Sequence, residues 1–125
     1  MNVGDESLDG ILQPFREMAI FEGYEIHFPE SPGRDGDTPL HVAAFANDVN
    51  SLKALMPFVT DINVIAGIGY TPLHYAILHG SAASADFLIA NGADVGVEGD
   101  YGETPLSMMR SSPIFAEILR SHGLA

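Results

Sequence analysis

The sequence of 125 residues contains no cysteine and no tryptophan. Without cysteine, the chain has no disulfide framework, no thiolate nucleophile and no cysteine-based zinc site. Basic residues are also scarce: five lysines and arginines are scattered among seventeen acids, for a formal net charge of −12. No stripe of positive charge is therefore available to neutralise a row of phosphates, and we expect no nucleic-acid partner.

Long apolar runs are missing as well. No stretch approaches the ~20 apolar residues that span a bilayer, and the polar, acidic start of the chain does not resemble a secretory signal. We therefore expect a soluble, cytoplasmic protein that does not enter a membrane. Because 46% of the residues are hydrophobic, the chain can still bury a core, and its length suits one domain.

One motif occurs three times. Gly-Asp-Thr-Pro-Leu-His-Val-Ala begins at Gly36, Gly-Tyr-Thr-Pro-Leu-His-Tyr-Ala at Gly69, and a weaker copy, Gly-Glu-Thr-Pro-Leu-Ser-Met-Met, at Gly102. Successive copies are 33 residues apart. This period and the Thr-Pro-Leu-His motif are typical of ankyrin repeats, and the sequence resembles that family over residues 34–125. The resemblance implies an all-α solenoid of stacked helix-turn-helix units with β-turn fingers.

The residue types of the motif favour the same architecture. Each threonine suits a helix N-cap, and each proline suits the first helical position, where a missing N–H is harmless. Asn47 and Gly80 suit the left-handed conformation that ends a helix, whereas Pro57 should shorten one. First helices are predicted at about 39–46, 72–79 and 105–110, and second helices at about 50–58, 82–91 and 113–122.

The motif divides the ankyrin-like part, residues 34–125, into repeats at about 34–66, 67–99 and 100–125. The third copy has Ser107 and Met109 in place of histidine and alanine, and we interpret it as a C-terminal cap because terminal solenoid repeats are commonly irregular. Residues 1–33 lack the motif but hold apolar residues at helical spacing, with Pro14 marking a break or restart. We expect a degenerate N-terminal capping segment there; a small separate interaction arm is the alternative.

No catalytic constellation, cofactor motif or metal site stands out in the sequence. His41 and His74 occupy the motif position, and the resemblance implies that each imidazole bonds the motif threonine and nearby backbone. Equivalent residues on stacked repeats are roughly 8–10 Å apart, too far to share a zinc ion bound at about 2 Å. We therefore predict no enzyme activity, no cofactor and no metal; an enzyme or an enzyme subunit is the rival hypothesis.

Ankyrin proteins normally bind partners through their concave face, which comprises the finger tips and the exposed side of the first helices. Its aromatic centre would be Phe45, Tyr70 and Tyr101 inside an acidic rim, although packing of Phe45 and Leu78 beneath the fingers is an alternative. Carried over by position, this surface consists of Arg34, Asp35, Asp37, Phe45, Ile68, Tyr70, Leu78, His79, Asp100, Tyr101 and Glu103.

The resemblance thus implies a non-catalytic module that binds another protein on its concave face and is monomeric when free. The acidic surface favours a basic partner, although acidic charge is also a common route to solubility. A more specific alternative is an acidic inhibitor, similar to an immunity protein or antitoxin, that neutralises a basic enzyme such as a nuclease. The sequence does not identify the partner, because one fold serves many unrelated partners.

Overall fold

The computed structural model describes residues 7–125, and this part of the chain forms seven α-helices and no β-strand. The helices are α1 Leu8–Arg16, α2 Pro39–Phe45, α3 Val49–Leu55, α4 Pro72–Leu78, α5 Ala82–Ala90, α6 Pro105–Arg110 and α7 Ala116–Ser121. Short 3-10 turns lie at Ala19–Phe21, Arg34–Gly36, Met56–Phe58, Gly67–Gly69 and Pro113–Phe115. The predicted all-α architecture of paired helices is confirmed.

Each motif threonine begins a helix by capping it. The hydroxyl oxygens of Thr38, Thr71 and Thr104 accept a hydrogen bond from the backbone N–H three residues later, at 3.2, 3.2 and 3.0 Å. The proline that follows takes the first helical position, where its missing N–H costs nothing. Helices α2, α4 and α6 therefore begin in the same way, as the motif predicts.

The helices form two rows. Helices α2, α4 and α6 pack side by side in an inner row, and α3, α5 and α7 pack against them as an outer row. The buried leucines of the two rows meet between them, among them Leu40, Leu52, Leu73, Leu88 and Leu119. Since one helix pair cannot enclose such residues alone, the repeats share a single core.

Two helix ends match their sequence signals. Asn47 and Gly80 have φ angles of 57° and 72° directly beyond α2 and α4. Pro57 also has the predicted effect, because α3 ends at Leu55 and the chain continues as a 3-10 turn. These local residue types therefore set where α2, α3 and α4 stop.

The break or restart expected at Pro14 is wrong. Pro14 lies inside α1, which continues to Arg16. Pro14 lacks the N–H that would bond the carbonyl oxygen four residues earlier, but burial of Leu12 and Phe15 holds α1 against the core. Tertiary packing thus overrides the local signal.

The segment before the first motif lies against the first repeat. Helix α1 packs on α3 at the end of the outer row, and Phe21 and Ile26 also join the core. The carboxylate of Glu30 accepts hydrogen bonds from the backbone N–H groups of Thr60 and Asp61, at 2.6 and 2.7 Å. Residues 7–33 therefore cover one end of the helix stack, while the first six residues of the predicted capping segment lie outside the described residues.

Candidate protein-binding site

The three fingers share one backbone hydrogen bond that closes each loop just before a motif. The N–H group at the start of the loop donates to the carbonyl oxygen four residues later. The pairs are Gly33 to Asp37 at 2.7 Å, Ala66 to Tyr70 at 2.8 Å and Gly99 to Glu103 at 2.8 Å. The fingers are therefore copies of one turn, and their tips occupy equivalent places in successive repeats.

Neighbouring finger tips touch one another. The N–H group of Asp100 donates a hydrogen bond to the carbonyl oxygen of Ile68 at 2.8 Å. On the other side, Gly67 lies so close to Asp35 that an added Cβ would be 3.1 Å from the Asp35 carbonyl oxygen. The tips, Asp35, Ile68 and the pair Asp100–Tyr101, thus form a continuous ridge, which we call the finger ridge.

Ile68 holds a strained backbone conformation at the centre of the finger ridge. Its φ and ψ angles are 56° and 19°, in the left-handed region, where a β-branched residue is an outlier. Asp35 has nearly the same angles in the first finger, but aspartate tolerates them because its short side chain can bond locally. The Ile68 side chain is 45% exposed, so core packing does not account for an isoleucine there. Strain of this kind clusters at functional sites.

Helices α2 and α4 present apolar side chains on the exposed side of the inner row. Phe45 and Leu78, at equivalent positions, are 42% and 62% exposed, so neither is buried beneath the fingers. The Phe45 ring stacks on the His79 imidazole with centroids 4.0 Å apart, and it meets the Tyr75 ring edge-on at 6.4 Å. Ring contacts of this kind stabilise the position of the Phe45 side chain.

Tyr70 is not part of the exposed aromatic centre, and that expectation is wrong. Its side chain is 8% exposed and stacks on the His74 ring, with centroids 4.6 Å apart and planes 3° from parallel. The next finger covers it: an added Cβ on Gly99 would lie 2.5 Å from the Tyr70 ring. The exposed aromatic residues of the site are Phe45 and, at 82% exposure, Tyr101.

Two of the acids predicted for the rim act within the protein instead. The hydroxyl groups of Tyr75 and Tyr70 donate hydrogen bonds to the carboxylates of Asp37 and Glu103, each across a repeat boundary. The bond from Tyr70 lowers the pKa of Glu103, and the same bond raises the pKa of Tyr70 to about 12. Both carboxylates are half-buried. Their first role is therefore to join neighbouring repeats.

The other two acids remain on the surface. Asp35 and Asp100 are exposed on the finger ridge, and Arg34 lies exposed beside Asp35. Within residues 7–125, ion pairs join Arg16 to Asp9 and Arg120 to Glu117, and the imidazoles of His27 and His122 contact the carboxylates of Glu25 and Asp86. None of these pairs includes Asp35 or Asp100, so both carboxylates stand on the ridge outside the described ion pairs.

The motif histidines are buried and bonded as predicted. Nδ1 of His41 faces the Thr38 hydroxyl at 2.8 Å, and Nδ1 of His74 accepts from the backbone N–H of Thr71 at 3.0 Å. Burial lowers the pKa of His41 to about 4 and also lowers the pKa of His74. Both rings are therefore neutral at pH 7. Within residues 7–125, no group of three histidine, aspartate or glutamate side chains is placed to hold a metal ion.

A cleft of about 490 Å³ opens between α4 and α6. It exists because the third repeat has small residues where the second has large ones: Ser111 stands where α4 has Leu78, and Ser112 where the second repeat has His79. Its apolar walls are Ile77, Leu78 and Met108, and its polar lining is Glu103, Ser107, Ser111 and Ser112.

The sequence prediction omitted Tyr75 and most of this cleft. Tyr75 directly follows a motif histidine, and its ring contacts His41 edge-on at 4.7 Å as well as Phe45. The available signal was positional: Val42, Tyr75 and Met108 share one place in the three repeats, beside the exposed positions of the inner helices. Alignment of the repeats would have included them.

None of the helices in residues 7–125 is long and apolar enough to cross a membrane. A family model described as ankyrin repeats (3 copies) matches residues 12–99, which is more than half of the chain. That match begins inside α1 and stops before the third motif. A search of curated proteins gives no match. Ankyrin repeats generally mediate protein–protein interaction and are typically non-catalytic. From its repeats, its stacked helix pairs and this match, the chain belongs to the ankyrin-repeat family.

Proposed function

We propose that this protein is a non-catalytic interaction module that binds a partner protein on its concave face, across the finger ridge and the Phe45–Leu78 patch. One observation carries the proposal. Large apolar side chains stand exposed on neighbouring repeats: Phe45 and Leu78 at the equivalent ends of α2 and α4, and Ile68 and Tyr101 at equivalent places on the finger ridge. Apolar surface concentrated in this way, with polar residues around it, is typical of a protein-binding site.

The strain at Ile68 supports the same surface. An exposed isoleucine in a left-handed conformation weakens the folded state, and Ile68 is not one of the residues that form the core. A binding role accounts for such a residue, because its apolar side chain lies at the tip of a finger, where it can contact the partner. Stability is commonly lower at functional sites for this reason.

The experiment is a differential capture followed by a binding measurement. Three baits are used against an extract of the native source: the unchanged protein, the double variant Phe45→Ala/Leu78→Ala, and Lys53→Ala on the exposed side of α3. A partner of the concave face is retained by the first and third baits and lost from the second. Surface plasmon resonance on the purified partner should then show about 2 kcal/mol lost for Phe45→Ala. Retention by the double variant with loss by Lys53→Ala would place the interface on the outer row.

A second candidate is an acidic inhibitor of a basic enzyme. It is favoured by the exposed acids Asp35 and Asp100 on the finger ridge, which take part in none of the described ion pairs, since negative charge complements a positively charged active site. The two candidates differ in what binding does to the partner. If the captured partner is an enzyme, its rate is measured with and without a saturating amount of this protein. An unchanged rate rejects the inhibitor and leaves the interaction module.

A further inference from the structure

We propose that the cleft between α4 and α6 receives an arginine side chain of the partner protein. This inference rests on the proposed function and adds to it the chemistry that the partner must present at one point. The cleft lies beside the exposed Leu78, so an occupant would be continuous with the Phe45–Leu78 patch.

The polar lining of the cleft offers hydrogen-bond acceptors. The Tyr70 hydroxyl donates to Oε2 of Glu103, and this bond keeps the carboxylate ionised by lowering its pKa. The other carboxylate oxygen, Oε1, is covered by the protein and has no hydrogen-bond partner within residues 7–125. The Ser111 hydroxyl donates to the Ser107 carbonyl oxygen at 3.0 Å, which leaves the Ser111 oxygen as an acceptor. An occupant that complements this lining must bring donors and positive charge.

The apolar walls select the shape of the occupant. Ile77, Leu78 and Met108 suit the aliphatic stem of a long basic side chain, whose charged end then reaches the polar lining. A planar guanidinium carries five donors in a fixed fork, so it can donate to more than one acceptor of the polar lining. Because Oε1 is covered, the carboxylate acceptor left for that group is the second lone pair of Oε2. An ammonium is a point charge that does not match two separated acceptors as well.

The charges elsewhere in the protein support the proposal that a cation in the cleft comes from the partner. Arg16 and Arg120 form ion pairs with Asp9 and Glu117, and Arg110 of α6 donates to the carbonyl oxygen of Leu124 at 3.3 Å. No ion pair to Glu103 is formed by a described cation. With a formal net charge of −12, the molecule as a whole also attracts a basic partner.

The test uses nuclear magnetic resonance of the 15N-labelled full chain. The probe is an acetylated, amidated pentapeptide with one central arginine between alanines, titrated at low salt. Two matched peptides carry citrulline, which has the same shape without the charge, or lysine. We expect the arginine peptide to shift the amide signals of α4 and α6 around the cleft. The citrulline and lysine peptides should bind at least tenfold more weakly.

Three variants locate the effect. Glu103→Gln removes the charge and keeps an acceptor for Tyr70, and Ser111→Leu fills the cleft with the residue that α4 carries at this position. Each should weaken the arginine peptide at least tenfold, whereas Glu22→Gln, which removes an exposed acid at the other end of the chain, should not. The spectra themselves report folding, and Ser111→Leu remains a test if Glu103→Gln unfolds.

Several results would overturn the inference. These are an absence of shifts in the cleft, equal shifts with citrulline or lysine, or unchanged binding in both cleft variants. Failure here is distinguishable from failure of the proposed function. If the native partner is lost from Phe45→Ala/Leu78→Ala but still binds Ser111→Leu, the concave face is the interface and the arginine cleft is not part of it.

Discussion

The imidazole of His41 in the first repeat donates a hydrogen bond from Nε2 to the backbone carbonyl oxygen of Tyr70 in the second, at 2.8 Å. His74 repeats the relationship with the carbonyl oxygen of Glu103 at 3.2 Å. A carbonyl oxygen only accepts, so both rings carry their proton on Nε2 and accept through Nδ1. Each motif histidine therefore fixes a helix cap in its own repeat and holds the finger of the next.

This arrangement predicts a loss of stability in mild acid. The pKa of His41 is about 4 in the folded protein, below the ordinary 6.5, because burial disfavours the charged ring. As the pH falls from 6.5 to about 4, the unfolded chain therefore binds a proton at His41, and the folded chain does not. Stability is complete above this window and decreases through it, by up to about 3 kcal/mol from His41, with a further loss from His74.

Urea unfolding at several pH values between 7 and 4 checks this prediction. His41→Gln cannot take up the proton, so its stability should depend less steeply on pH than that of the unchanged protein, whatever its absolute value. His27→Gln, which removes an exposed histidine, should keep the steep dependence. An identical slope for all three proteins would show that His41 is not the group responsible.

A second prediction concerns the bond between Tyr75 and Asp37. Tyr75→Phe removes the hydroxyl that joins the second repeat to the first finger and leaves a half-buried carboxylate without that donor. We expect a loss of about 1–2 kcal/mol in the free energy of unfolding, because a hydrogen bond to a charged group is worth more than a neutral one. The exposed Tyr24 gives the control, and Tyr24→Phe should be neutral on the same urea curves.

Burial of Tyr70 leads to a third prediction. Tyr70→Ala should cost about 3 kcal/mol on chemical unfolding, in the range of a core truncation and close to Leu73→Ala. Tyr101→Ala removes the same side chain from an exposed position and should cost less than about 1 kcal/mol. If the two tyrosine variants were equally stable, the contact between Tyr70 and the third finger would not form in solution.

Replacing Ile68 should change stability and binding in opposite directions. Ile68→Asn places a residue that tolerates the left-handed conformation at the finger tip, so the protein should become about 1 kcal/mol more stable. Binding to the native partner should weaken at the same time, because the apolar tip is gone. Ile65→Asn is the matched control: Ile65 is also exposed but has no positive φ, so no stabilisation is expected. Thermal unfolding and surface plasmon resonance measure the two effects.

The exposed acids of the finger ridge should act on the rate of association. Asp35→Lys and Asp100→Lys should each slow binding to a basic partner while changing dissociation little, and the difference should shrink in 0.5 M salt. Charge reversal at Asp37 or Glu103 should also lower stability, because these carboxylates hold tyrosine hydroxyls. Stopped-flow mixing at two salt concentrations measures the association rate of each variant. Equal effects at both concentrations would exclude electrostatic steering.

Much of the fold follows directly from local residue types. Thr38 and Thr71 cap helices, and Asn47 and Gly80 end them, because each of these signals acts within one turn of chain. The 33-residue period adds the repeat architecture, because it matches that of a known repeat family. The site was harder to predict, since exposure depends on the neighbouring repeat. Tyr70 and Tyr101 both sit in finger sequences, yet only the position of Gly99 against the Tyr70 ring decides that one is covered and the other is not.

The serine that replaces the motif histidine changes what the third repeat requires from its surroundings. Ser107 accepts a hydrogen bond from the Thr104 N–H at 3.0 Å and donates one to the Thr104 carbonyl oxygen at 2.9 Å. His41 and His74 each bond a carbonyl group of the following finger, whereas the Ser107 hydroxyl bonds only groups within its own turn. The third repeat consequently keeps its cap intact whether solvent or another protein lies beside it. An interface at that end of the stack can form and dissociate without costing the repeat a hydrogen bond.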